Sequence, residues 1–83
     1  MITELKQTVE LMNSSDYKDR FKAEYYQLKI RFNKLREMCL KWDAGNLNFV
    51  PTCPRNIYEM QLNSMGDYLK VLEERAAIEK VEL

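Results

Sequence analysis

Apolar side chains between Asp16 and Trp42 fall at Tyr17, Phe21, Tyr25, Leu28, Phe32, Leu35, Cys39 and Trp42, in steps of 4, 4, 3, 4, 3, 4 and 3. A step averaging about 3.5 residues returns to one side of the backbone only in an α-helix. Polar, mostly charged residues fill the intervals, so the pattern predicts one long amphipathic helix over 16–44. Its start is marked by Asn13-Ser14-Ser15-Asp16, where Asp16 and Asp19 place carboxylates beside the exposed N–H groups of the first turn. Its end is marked by Gly45, which suits the left-handed residue that closes many helices, with Asn46 behind it.

A second long helix is predicted over 54–80. Tyr58, Leu62, Met65, Leu69, Leu72 and Ala76 recur in steps of 4, 3, 4, 3 and 4. Pro54 fits the first turn, where its missing N–H costs nothing, with Thr52 or Cys53 as the cap. Beside this seam runs another stripe, Ile57, Gln61, Tyr68, Val71 and Ile78. The connection 45–53, GNLNFVPTC, has no helical period, and Leu47 and Phe49 are expected to tuck over the open end of the two helices. Residues 1–13 predict a short helix with Ile2, Leu5, Val9 and Met12 on one side. At about a dozen residues it is marginal alone and must dock on something.

These elements predict an all-α single domain: a short N-terminal helix followed by a long antiparallel helical hairpin. One antiparallel partner cannot cover two stripes. Tyr26, Ile30 and Leu40 also lie off the main seam of the long helix. The surplus apolar surface predicts assembly into a homo-oligomeric bundle.

Composition narrows the function classes. Hydrophobic residues make up 46% and charged residues 31% of the 83, the make-up of a chain that folds. Thirteen basic and thirteen acidic residues cancel, which argues against DNA binding but leaves room for a small anion held by local cations. No apolar run is long enough to span a bilayer, and Glu4, Lys6 and Glu10 argue against a signal peptide. A cytoplasmic protein with Cys39 and Cys53 as free thiols is expected, with no membrane partner. The chain has no histidine, and no Gly-rich phosphate loop, metal-spaced cysteine pair or Ser/His/Asp set. The expectation is a protein that is not an enzyme and uses no metal and no cofactor.

Three groups of residues could carry binding chemistry. Arg20, Lys22, Tyr25, Tyr26 and Lys29 sit within three helical turns, where an aromatic face beside ammonium groups suits a base and its phosphate. Taken alone, the same pattern reads more simply as a core tyrosine beside solubilising lysines. Thr52, Arg55 and Asn56 at the start of the last helix combine a hydroxyl, a guanidinium and free N–H groups, which is either an anion site or an ordinary helix start. Glu24, Gln61, Tyr68 and Arg75 border the seams, and Glu24 with Arg75 is expected as an interhelical ion pair that fixes register or closes a subunit interface.

The spacing of Arg20, Glu24, Leu28, Leu35, Phe49, Gln61, Leu62, Met65, Tyr68, Leu72 and Arg75 resembles a family of small helical proteins of tailed phages and prophages, named after a crAss-like phage. The resemblance runs from Asp16 to Leu83 and leaves residues 1–15 outside. It implies a phage accessory protein. The plan of a short helix and a long hairpin is also similar to phage sponge proteins, which assemble into rings and sequester cyclic-nucleotide immune signals. That likeness implies a homo-oligomeric sponge for a cyclic nucleotide or cyclic ADP-ribose-type signal. Its pocket would lie between subunits, with Tyr25 or Tyr26 stacking a base, Arg20, Lys22, Lys29 and Arg55 on phosphates, and Thr52 and Asn56 adding hydrogen bonds. The alternatives from other classes are a helical protein–protein adaptor or inhibitor using its apolar stripe, and a virion or chaperone component.

Overall fold

The computed structural model describes residues 2–83, and every regular element in it is helical. A 3₁₀ turn, Leu5–Thr8, runs into a single α-turn, α1 (Val9–Met12); two long helices follow, α2 (Tyr17–Asp43) and α3 (Arg55–Glu79). The N-terminal segment is therefore less regular than the expected helix over 1–13, of which Met1 lies outside the described residues. Gln7 accounts for the tight first turn. Its side-chain oxygen accepts the backbone N–H groups of Thr3 (2.8 Å) and Glu4 (3.0 Å), which gathers the chain before a full α-turn can form.

Local chemistry sets the ends of α2. The Asp16 carboxylate accepts the Lys18 N–H at 3.0 Å and so caps the first turn. At the other end Gly45 takes φ 75°, the Asn46 N–H reaches back to the Lys41 carbonyl at 2.8 Å, and the Gly45 N–H to that of Trp42 at 3.0 Å. This double closure needs a left-handed residue, and glycine adopts that conformation without strain. α3 ends the same way on Lys80 (φ 59°), a residue whose Cβ disfavours it. The reversal turns Val81 inward, where it is buried with its N–H on the Ala76 carbonyl at 2.8 Å.

The expected seams carry the core. Phe21, Tyr25, Leu69, Leu72, Ala76 and Val81 form one buried cluster, with Tyr26, Leu28 and Phe32 packed against it. Side chains of α2 and α3 meet along their length: Tyr17 meets Glu79, Tyr25 meets Glu73, Glu24 meets Tyr68, and Trp42 meets Tyr58. Gly66 belongs to this packing, since a Cβ there would stand 3.7 Å from the Phe32 ring, in ordinary contact.

The N-terminal segment docks on the other side of α2. Thr8, 1% exposed, donates to the Leu5 carbonyl at 2.7 Å and accepts from the Gln27 amide at 2.9 Å, and the same amide lies 3.5 Å from the Met12 sulfur. Ile30, which shares a cleft with Ile2 and Thr3, is buried, and Tyr26 is half-buried against the core cluster. Two of the three off-seam residues of α2 are thus covered within the chain, whereas Leu40 stays exposed. The loop also departs from expectation. Leu47 is half-buried, but Phe49 and Val50 lie in solvent because the tight closure at Gly45 carries the chain past the end of α2. Cys39 is buried and Cys53 exposed, and neither is in a disulfide. No helix among the described residues is long and apolar enough to cross a membrane.

Candidate functional site

Tyr26, Lys29, Ile30, Asn33, Lys34 and Glu37 follow one another on α2 at steps of one or three residues and line one cleft. Ile2 and Thr3 close over them from the N-terminal segment, and Leu83 from the other end of the chain. Together with the edge of Tyr25 they bound a cleft of about 460 Å³. A volume of this order suits a small ligand, and the lining follows the usual recipe of an apolar floor with a few convergent polar groups. Ile2, Ile30 and Leu83 supply the floor, Tyr26 an aromatic ring, Asn33 an amide, and Lys29 and Lys34 two ammonium groups. Neither lysine is in an ion pair among the described residues. Glu37 is the one carboxylate in the lining.

A second groove, of about 490 Å³, continues the first. It shares Lys34 and Glu37 with it and adds Met38, Lys41, Asn46, Leu47, Asn48 and Phe49. At 1.5 Å per residue the joined groove runs roughly 22 Å along α2 from Tyr26 to Lys41. An aromatic ring stands at each end, Tyr26 and Phe49, with Lys29, Lys34 and Lys41 between.

Of the residues singled out from sequence, Tyr26 and Lys29 lie in this cleft with their functional groups available. Tyr25 does not offer a face. It is 4% exposed, its ring meets Tyr26 edge-on at 5.2 Å, and its hydroxyl donates to Glu73 at 2.8 Å. Burial, then the bond to Glu73, pushes the Tyr25 pKa up to about 12. Lys29 donates to the same hydroxyl at 3.3 Å and sits 5.5 Å from the Tyr25 ring centre, so Tyr25 positions the ammonium group. Lys22, half-buried one turn earlier, lies outside the lining.

The remaining candidates are elsewhere. Arg20 donates to the Ser14 carbonyl at 2.9 Å and borders a shallow groove with Met12 and Glu24. Arg55 grips both oxygens of Asp43, at 3.0 and 3.1 Å, with Glu59 at 3.8 Å. That pairing raises the Arg55 pKa and lowers that of Asp43. Its guanidinium ties the end of α2 to the start of α3, about 21 Å of helix from Lys29. Thr52 and Asn56 are exposed, and α3 starts after Pro54 with no side-chain cap, in place of the expected Thr52 or Cys53. Within one chain the residues of the last helix therefore do not converge with Tyr26 and Lys29.

The expected Glu24–Arg75 ion pair does not form. Arg75 is drawn to Glu79, one turn on at 2.9 Å, to the Tyr17 hydroxyl at 2.5 Å, and over the Phe21 ring at 4.9 Å. Glu24 instead accepts the Tyr68 hydroxyl, which raises the Tyr68 pKa. Gln61 is exposed.

Sequence reasoning missed Asn33, Lys34, Lys41, Ile2, Thr3 and Leu83. For Lys34 and Lys41 a signal was present, because Tyr26, Ile30, Lys34, Glu37 and Lys41 recur in steps of 4, 4, 3 and 4, and Asn33 lies seven residues from Tyr26. For the residues at the chain ends there was none, since the fold alone brings residues 2 and 83 to one place.

A family model described as Sequestin covers residues 15–78, which hold α2 and all but the last residue of α3 and leave Ile2, Thr3 and Leu83 outside. No curated protein and no solved structure matches the chain. With well over half its length matched, the chain belongs to the Sequestin family.

Proposed function

We propose that this chain is a phage or prophage protein that binds a nucleotide-derived host immune signal and holds it without cleaving it. The family's name points to a sequestering role. The observation that carries the reading is the convergence of the Tyr26 ring, the Asn33 amide and the Lys29 and Lys34 ammonium groups over an apolar floor. A ring can stack on a base, the lysines can hold phosphates, and an amide can read a base edge. The joined groove, with Phe49 and Lys41 at its far end, has the length for a ligand of more than one nucleotide unit, such as a cyclic dinucleotide or trinucleotide. The groups on offer hold charge and stack, and none is arranged as a nucleophile with its base. In this reading α2 and α3 form an antiparallel helical hairpin that works as a homo-oligomer in the cytoplasm of the infected or lysogenic host.

The test is a thermal shift of the purified chain against cyclic dinucleotides, cyclic trinucleotides and cyclic ADP-ribose isomers. A ligand far above its Kd should raise the melting temperature, and mass spectrometry after denaturation should recover it intact. No stabilisation by any of them sinks the reading, and recovery of a cleaved product sinks its non-catalytic part. The exposed stripe of α3 supports a second reading, a helical adaptor gripping a host or phage protein. A stoichiometric protein partner with no bound small molecule would favour it.

A further inference from the structure

Ile57, Tyr68, Val71 and Ile78 are the apolar members of a seam at positions 57, 61, 64, 68, 71, 75 and 78 of α3, repeating every 3.5 residues or so. They are 44%, 44%, 52% and 80% exposed. The seam lies about 110° round the helix from the Leu62–Ala76 stripe that packs on α2, at 100° per residue. Among the described regular elements α3 touches only α2, and these four side chains stay largely in solvent. From it we infer that two copies of this chain pair α3 against α3, antiparallel about a two-fold axis near Tyr68.

The repeat specifies the partner's form. A 3.5-residue period sustained over three heptads presents knobs and holes to another helix. The seam's charge specifies which helix. Its one charged member, Arg75, is already held by Glu79 and Tyr17, and the Tyr68 hydroxyl is spent on Glu24. The face asks for no oppositely charged partner. An apolar face with no free charge to match can meet its own copy in a self-complementary two-fold contact.

Shape and area give the same answer. The Cα radius of gyration is 14.9 Å, against about 12 Å for a compact domain of this length. The accessible surface is 6092 Å², against about 5,200 Å² for a typical monomer of this mass, and the excess is close to the roughly 800 Å² that one partner contributes to a standard interface. Two rods laid side by side make a four-helix bundle and remove both anomalies. Tyr26 and Lys34 lie round α2 from this face, so pairing leaves a cleft open on each copy.

This inference names the partner within the oligomeric reading above, and its test separates the two. Native mass spectrometry and sedimentation of the full chain at micromolar concentration should show a dimer. Val71→Asp and Ile78→Asp, both at exposed positions, should keep the helical circular dichroism and sediment as monomers. A wild-type monomer overturns the inference, as does a dimer that survives both substitutions, or a monomer that takes up a different protein on this face. A monomeric variant still stabilised by a nucleotide ligand supports the inferred interface and leaves the binding reading intact. A dimer that no ligand stabilises sinks the binding reading alone.

Discussion

The Tyr25 hydroxyl donates to the Glu73 carboxylate at 2.8 Å, so one hydrogen bond links the core of α2 to the far helix directly beneath the cleft. Because the ring is buried, the neutral phenol is the form the fold tolerates, and its pKa rises from 10.0 to about 12. The unfolded chain then loses this proton before the folded chain does. Stability from Tyr25 is complete below pH 10 and is lost as pH rises from 10 through 12. Two units correspond to roughly 2–3 kcal/mol at most. Urea midpoints measured from pH 8 upward should fall steeply above pH 10. Tyr25→Phe should cost about 1 kcal/mol at neutral pH and flatten that alkaline fall. An unchanged slope in the variant would show that another group controls it.

Lys80 closes α3 in the left-handed region at φ 59°, and its own carbonyl accepts from Lys18 at 3.3 Å. The conformation turns Val81 into the core. Lys80→Gly removes the Cβ conflict and should stabilise the protein by roughly 0.5–1 kcal/mol in chemical denaturation. Gly45→Ala at the end of α2, where φ is 75° and the space around the missing Cβ is open, should cost a similar amount through backbone strain alone.

The two long helices were legible because the seams of α2 and α3 repeat without interruption and Asp16 and Gly45 mark the ends of α2 with residues suited to them. The end of α3 was less so, because a lysine occupies the position where a glycine would have announced the turn. The cleft was half legible. Tyr26 and Lys29 stood out as an aromatic–cation pair, but the same pattern also picked out Tyr25, whose face is spent on the core. Periodicity alone cannot tell which of two adjacent tyrosines points inward when both lie near the seam. Arg55 was misjudged for a different reason: twelve residues separate it from Asp43, and only the turn between the helices brings the two into a bidentate pair. Ile30 looked like surface awaiting another copy, yet it is buried within the chain.

The docking of the N-terminal segment depends on Thr8 and Gln27. The Thr8 hydroxyl both donates and accepts at a site with almost no solvent access, and replacing it leaves the Gln27 amide without its partner. Thr8→Val should cost about 1–2 kcal/mol. The loss should be local, since the 3₁₀ turn and α1 contact α2 but not α3. Hydrogen exchange should quicken at the amides of α1 and change little in the middle of α3. Uniform quickening throughout would mean that the segment is part of the cooperative core.

The cleft and the Arg55 pair make opposite predictions for the same kind of change. Lys29 and Lys34 face an open groove and form no ion pair among the described residues, so their charges remain free to meet an anion. Lys29→Glu or Lys34→Glu should weaken an anionic ligand about tenfold or more, by removing a charge-assisted contact and adding a like charge. Lys34→Glu should leave the fold unchanged, because its side chain is exposed, whereas Lys29→Glu also loses the bond to the Tyr25 hydroxyl and should cost some stability. Tyr26→Ala should weaken binding by a comparable factor through lost stacking, and that loss should persist in high salt whereas the lysine contribution shrinks. Arg55→Ala should leave binding in place, because its guanidinium is already committed to Asp43 and Glu59. It should instead lower stability modestly and remove the part of the acid dependence that arises from the lowered Asp43 pKa, a contribution present at neutral pH and lost as Asp43 protonates on acidification. Titration calorimetry at two salt concentrations, paired with acid unfolding of the same four variants, separates the two roles. If Arg55→Ala abolished binding and the lysine variants did not, the ligand would sit at the α2–α3 turn and not in the cleft.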